Sequence, residues 1–130
     1  MAPHKTKLAR AKRLADKHCS AYFQGKPCAV CGTTIGTVGH HIIPRLIGCL
    51  RHHEFNLIPL CSEHHCGGFM APHSTSAEAQ KRFEKFLRTR FAAKMGWLDR
   101  CRYGLTIPTT EDYLERAEYW KNRKVDEDGN

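Results

Sequence analysis

The sequence lacks any long hydrophobic run. None of its 130 residues form a continuous apolar segment that could cross a membrane. The basic residues 1–10 are also not followed by the apolar stretch of a secretory signal. We therefore expect no membrane association and an intracellular, cytoplasmic location. Neither internal repeats nor low-complexity tracts occur, so a chain of this length is expected to form one small domain with arms.

Acidic residues are scarce. The chain has 13 Asp and Glu residues against 21 Lys and Arg residues, which gives a formal net charge of +8 and a pI near 9.3. Such an excess of positive charge favours a polyanionic partner, because phosphate electrostatics dominate nucleic-acid affinity. On charge alone, a solvated basic surface without a specific partner explains the composition equally well.

The number of cysteines is odd. Seven cysteines in a reducing compartment argue against a disulfide framework. Nine histidines accompany them, which shifts the expectation towards metal binding. Cys19, Cys49 and Cys101 have no partner at metal spacing and are interpreted as packed or free thiols.

Two ligand pairs have the spacing of a structural zinc site. Cys28-x2-Cys31 and Cys61-x2-His64 let both side chains of each pair reach one tetrahedral ion. Since His64, His65 and Cys66 are consecutive, any of them could be the fourth ligand, and the x2 spacing favours His64. Such a site contributes about 10 to 16 kcal/mol of apparent binding free energy to folding, so the metal is expected to be part of the fold.

The N-terminal half predicts one helix and two short strands. Residues 5–23 carry apolar side chains at helical spacing among many basic ones, with Asp16 as the single acid. Gly25 and Pro27 should end this helix. After the first cysteine pair, residues 38–43 and 56–60 are predicted to be paired strands joined by the loop 47–55, in which His52 and His53 are expected to be solvated.

The C-terminal half is predicted to be helical. A helix over residues 75–95 should begin with a Thr75–Glu78 capping box and end at Gly96. Pro108 and Thr109 should open a final helix to about Trp120, with a frayed tail over residues 124–130. These elements suggest a basic helical arm (1–27), a zinc-stapled core (28–96) and a C-terminal helix with a polar tail (97–130).

Three ordered strings carry a family resemblance. V-G-H-H-I-I-P-R at 38–45, E-F-N-L-I-P-L-C at 54–61 and S-E-H-H at 62–65 resemble the successive blocks of HNH (His-Me finger) endonucleases. Within that family, the first two strings are also similar to phage recombination nucleases of the lambdoid Rap type. The resemblance implies an α+β fold with a small zinc-stapled ββα-metal core and flanking helices, and an enzyme that hydrolyses phosphodiester bonds in DNA.

The resemblance also implies roles for individual residues. His41 matches the general base and Asn56 the middle asparagine, which would orient the imidazole of His41 directly or through the loop backbone. His40 and His65 match ligands of a catalytic divalent ion, which would be Mg2+, Mn2+, Ni2+ or Zn2+. The family often has a further ligand where this chain has Phe69, and His73 is the candidate substitute.

DNA, duplex or branched, is the partner that the resemblance implies. Phosphate contacts are expected from the N-terminal helix and from Arg45, Arg51, Lys81 and Arg82. If both strands are cut, a single site per chain favours a homodimer or another phage or host protein as a partner. The alternative to an enzyme is a zinc-stapled DNA-binding or phage assembly module without catalysis.

Overall fold

The computed structural model describes residues 3–44, 48–101, 103 and 106–128, with side chains from Lys7 onward. The fold is a small mixed α+β arrangement of a two-stranded sheet and helices, which confirms the predicted class. The elements are helix α1 (Pro3–Phe23), strand β1 (Val38–His41), a 3₁₀ turn (Glu54–Asn56), strand β2 (Leu57–Leu60), a π-helical turn (Glu63–Gly67), and helices α2 (Ala77–Arg90), α3 (Ala92–Cys101) and α4 (Thr110–Asp128). Among the described residues, no helix has the length and apolar character that a membrane span needs.

The two strands pair antiparallel, with His40 opposite Ile58 and His41 opposite Leu57. β1 ends two residues earlier than predicted. Beyond it, the backbone of Ile43 bonds to the side chain of Asn56 instead of continuing the ladder. Asn56 itself precedes β2 and lies in the 3₁₀ turn. The sheet therefore ends where the two consecutive histidines stand.

Helices α2 and α3 cover the sheet and form the main core with it. Its members include Ile58, Leu60, Phe83, Leu87 and Leu98. α2 begins one residue later than the predicted capping box implies. The hydroxyl of Ser76, and not that of Thr75, accepts a hydrogen bond from the backbone of Ala79 at 3.2 Å.

The prediction that one helix ends at Gly96 is wrong. The first helix already ends at Arg90 because Phe91 leaves helical geometry, with φ −124° and ψ 45°. α3 then passes straight through Gly96, and burial of Met95 and Leu98 on either side of it offsets the roughly 1 kcal/mol that a helical glycine costs. The boundary proposed after residue 96 thus falls within a helix.

The predicted N-terminal arm is instead a packed helix. Ala11 and Ala15 of α1 form a buried cluster with Tyr113 and Ala117 of α4, while further along, Tyr22 and Phe23 pack with Trp120. The N-terminal part of α1 contacts the N-terminal part of α4, and the C-terminal parts also contact each other, so the two helices are parallel.

The predicted fraying of the C-terminal tail is also wrong as far as Asp128. α4 continues to that residue because its last turns are bonded to the end of α1. The hydroxyl of Tyr22 donates to the Glu127 carboxylate at 2.9 Å, and Lys26 lies 3.6 Å from the same group.

Phe23 also fixes the position of β1. A Cβ atom at Gly39 would lie 2.9 Å from Cδ2 and 3.0 Å from Cγ of Phe23, closer than side-chain atoms approach one another. Only glycine lets the end of α1 rest on the strand at this point. The contact places α1 directly beside His40 and His41.

Candidate metal centres and active site

Cys28, Cys31, Cys61 and His64 converge at one point, with their ligand atoms all within 4.8 Å of one another. The Sγ atoms of Cys31 and Cys61 are 3.8 Å apart, and Nδ1 of His64 lies 3.3 Å from Sγ of Cys61 and 3.9 Å from Sγ of Cys28. A tetrahedral zinc ion would separate sulfur pairs by about 3.8 Å and sulfur–nitrogen pairs by about 3.5 Å. This Cys3His cluster could therefore hold a zinc ion, with His64 rather than His65 or Cys66 as the fourth ligand.

The local backbone prepares Cys28 for this role. Burial alone would raise the pKa of its thiol, but backbone N–H groups of Cys31, Cys61 and Val30 point at the sulfur and lower the pKa to about 6. The turn that presents them closes at Gly32, whose φ of +78° suits glycine. Its N–H donates to the Cys28 carbonyl at 2.9 Å.

A second cluster consists of His40, His65 and His73, and we call it the histidine triad. Its ligand nitrogens also lie within 4.8 Å of one another, and the ring centroids are 4.7 to 5.2 Å apart. β1 supplies His40 and the π-helical turn supplies His65. The loop carrying His73 is attached to that turn, because the His73 backbone N–H donates to the His65 carbonyl at 3.0 Å.

The triad is suited to bind a cation because its most buried ring, that of His40, is neutral. Burial, together with the neighbouring His65, His73 and His41, lowers the pKa of His40 to about 3. Burial and the neighbouring His73 also lower the pKa of His65. Neutral imidazole is the form that binds metal. Phe69, at the place where the family often has a ligand, is 75% exposed and is not part of the triad.

His41 is held by the backbone of a neighbouring loop. Its Nε2 atom lies 2.8 Å from the carbonyl oxygen of Arg51. A carbonyl can only accept, so Nε2 carries the proton, and in the neutral ring the lone pair is then on Nδ1. This is the tautomer that a general base requires.

Asn56 is placed differently from the other predicted catalytic residue, His41. It is completely buried, and its side chain bonds only to backbone: it accepts from the Ile43 N–H at 2.7 Å and donates to the carbonyls of Ile43 and Leu50 at 3.0 and 3.1 Å. It therefore closes the loop that follows β1 and acts on His41 through that loop. The buried side chain of Asn56 is therefore suited to positioning the loop and is not exposed to a ligand in the solvent.

His41 and the histidine triad share one cavity of about 580 Å³, which we call the histidine cleft. β1 contributes His40 and His41, and α1 contributes Asp16, Cys19 and Ser20 to the same wall. Burial raises the pKa of the Cys19 thiol to about 12, so this sulfur is inert. The cleft thus places a candidate base beside a candidate metal centre.

The residues predicted to contact phosphate lie in different environments. The side chain of Arg51 is only 11% exposed and pairs with Asp16 at 2.8 Å, so a phosphate that contacts Arg51 would have to compete with this ion pair. Lys81 is 77% exposed, and Arg82 lies over the Phe69 ring at 3.7 Å. Arg45 lies outside the described residues.

Sequence reasoning missed the buried charges beside the cleft. His52, expected to be solvated, is 4% exposed, and its Nε2 lies 2.6 Å from the Asp16 carboxylate. The sequence contained one indication of these contacts, because Asp16 is the single acidic residue of a basic helix. It contained no indication that Arg116 of α4 bonds to the carbonyls of Gly48 and Cys49, in the loop that carries His52.

Family models, curated proteins and solved structures were all compared with the chain, and none of them matches it. No function is therefore inherited from a relative. Any functional proposal for this chain therefore rests on its own sequence and on the geometry of the histidine cleft.

Proposed function

We propose that this protein is a metal-dependent DNA endonuclease of the HNH type, with the two strands and the turn after them serving as a ββα-metal element. One observation carries the proposal. His41, in the tautomer of a base, lines the same cleft as three histidines whose nitrogens converge. Phosphodiester hydrolysis needs this pair of functions, a base for water and a cation at the phosphate.

His41 would act on the attacking water. Nδ1 takes a proton from the water as its oxygen bonds to phosphorus. The bond from phosphorus to the 3′ oxygen breaks, and the leaving oxygen acquires a proton from solvent. The Arg51 carbonyl keeps the ring oriented and stabilises the imidazolium that forms.

The histidine triad would hold the catalytic divalent ion. A bound cation supplies Lewis-acid stabilisation of the phosphoryl and leaving oxygens. Three neutral imidazoles suit Ni2+ or Zn2+ better than Mg2+ or Mn2+, which prefer oxygen ligands. His73 is therefore proposed as a ligand alongside His40 and His65.

The Cys3His cluster would hold a structural zinc ion. It joins the turn after Cys28 to the turn after β2, and His65 of the triad directly follows the zinc ligand His64. Binding of zinc would therefore also fix the backbone from which the triad is built.

DNA would be held through its phosphates with little sequence preference. The exposed cations of α1, whose neighbours Asp16 and Ser20 line the cleft, provide the main basic surface, and they are Lys7, Arg10, Arg13 and Lys17. Lys81 and Arg82 add charge on α2. Steep salt dependence is expected because such contacts release counterions.

Plasmid nicking tests the proposal. Purified protein is incubated with supercoiled DNA and Mn2+, Ni2+, Zn2+ or Mg2+, and wild type is compared with His41→Ala and with His18→Ala, a histidine on α1 outside the cleft. We expect cleavage by wild type and the His18 variant, and its loss in His41→Ala. Binding of DNA without cleavage under any of these ions would instead indicate a non-catalytic DNA-binding module. Equal cleavage by His41→Ala would show that another group is the base.

A further inference from the structure

The loop 48–53 supplies the carbonyl that orients His41, and α1 holds this loop from one side. Both oxygens of Asp16 bond to Arg51, at 2.8 Å to Nε and 2.8 Å to the terminal nitrogen. One of them also lies 2.6 Å from Nε2 of His52. The Arg51 carbonyl belongs to the planar peptide unit between these two residues, so Asp16 fixes the side chains at both ends of that unit.

α4 holds the same loop from the other side. The guanidinium of Arg116 donates to the carbonyls of Gly48 at 2.8 Å and Cys49 at 3.3 Å. The buried indole of Trp120 donates to the carbonyl of His52 at 2.9 Å. The carbonyl of Leu50 accepts from Asn56 and that of Arg51 from His41. All five consecutive carbonyls from residue 48 to residue 52 therefore accept a hydrogen bond from a side chain.

The negative charge of Asp16 beside the cleft also indicates that this carboxylate has a positioning role. Asp16 lines the histidine cleft, and burial opposes its ionisation, yet hydrogen bonds from His52 and Arg51 hold the pKa of its carboxyl well below the usual range. An anion is thus maintained next to a cleft that would receive phosphate. A neutral or apolar residue would avoid that repulsion, so the contacts to the loop are the reason for a carboxylate here.

We propose that Asp16 and Arg116 are positioning residues that set the tautomer and direction of the His41 imidazole by clamping the loop 48–53 between α1 and α4. The catalytic consequence rests on the proposed nuclease function, whereas the effect on the His41 ring does not. It follows that the flanking helices are parts of the active site, although neither carries a residue of the HNH-like strings.

The competing explanation is that Asp16 and Arg116 only stabilise the fold. The tautomer of His41 distinguishes this explanation from the proposed positioning role. Nitrogen-15 NMR of the imidazole ring distinguishes a proton on Nε2 from one on Nδ1. The measurement uses the full-length, zinc-loaded protein without DNA, as wild type, Asp16→Asn and Arg116→Gln. Asp99→Asn is the matched control, because it removes a two-bond Arg–Asp pair that joins α2 to α3, two helices that carry neither Asp16 nor Arg116.

The proposal predicts a nearly pure Nε2–H form of His41 in wild type and in Asp99→Asn. In both clamp variants we expect a mixture of the two tautomers, with zinc content retained. An unchanged His41 spectrum in both clamp variants would overturn the proposal. Two variants on different helices keep the test decisive if one of them does not fold.

Cleavage kinetics give the second readout. We expect kcat to fall roughly 10- to 100-fold in each clamp variant, as for other residues that orient a reacting group, with KM unchanged. Asp16→Asn should cause no further loss of the residual cleavage that remains in a His41→Ala background, because its effect passes through His41. Additive losses would overturn this reading. If wild type cuts no DNA, the nuclease function fails, and the NMR result still decides the clamp.

Discussion

The indole nitrogen of Trp120 donates a hydrogen bond to the backbone carbonyl of His52 at 2.9 Å, across 68 residues of sequence. Trp120 is completely buried. Trp120→Phe would leave this carbonyl buried without its donor, so we expect the free energy of unfolding to fall by about 1 to 3 kcal/mol. Thermal melting measures the loss. Tyr119→Phe, on the exposed side of the same helix, should melt near wild type, and equal melting of all three proteins would contradict the expectation.

Loss of one ligand should remove the structural zinc and the fold together. Cys61→Ala takes a sulfur from the Cys3His cluster, and three remaining ligands cannot close a tetrahedral site. Metal analysis should show that Cys61→Ala binds one zinc per chain fewer than wild type, and its melting curve should be broad and non-cooperative. Cys101→Ala lies outside the cluster and should match wild type in both properties. A zinc content of Cys61→Ala equal to that of wild type would refute the assigned ligand set.

The triad should prefer borderline metals over magnesium. Isothermal titration of the zinc-loaded protein is expected to show tighter binding of Ni2+ than of Mg2+, because all three ligands are imidazoles. His73→Ala should weaken Ni2+ binding at least tenfold, whereas His18→Ala should not. If His73→Ala binds Ni2+ as wild type does, residue 73 is not a ligand.

Tyr22 should make stability depend on alkaline pH. Burial and the hydrogen bond to Glu127 raise its pKa to about 12, against an opposing effect of Arg123. Because the folded pKa lies above the unfolded value near 10, the stability that this hydroxyl contributes is complete below pH 10 and is lost as pH rises towards 12. Urea midpoints of wild type should therefore fall more steeply between pH 10 and 12 than those of Tyr22→Phe. Parallel curves would contradict the assigned shift.

The parts of the site that the sequence predicted correctly are local in character. The two ligands within each x2 pair were predicted correctly because a short turn fixes the distance between residues i and i+3. Two consecutive histidines at a strand end also had to leave the backbone in different directions. Such relationships depend on a few neighbouring residues and hold whatever the rest of the chain does.

The parts that could not be predicted depend on contacts between distant segments. The sequence offered His73 only as a candidate ligand, because it reaches His40 across 33 positions through a loop that bonds back to His65. Arg51 was taken for a phosphate contact because its partner, Asp16, lies 35 residues away. Gly96 was taken for a helix end because glycine commonly ends helices. The helix continues through it because its neighbours are buried in the core, and that burial cannot be deduced from the sequence of the helix itself.

The close contact between Phe23 and Gly39 of β1 also affects the position of the histidines in the cleft. Phe23 is packed among Tyr22, Leu57 and Trp120 and has little room to retreat. A single methyl group at position 39 would therefore displace the strand, and with it the two imidazoles that follow. A residue with no side chain would then govern the distance from His40 and His41 to His65 and His73 on the other elements of the cleft.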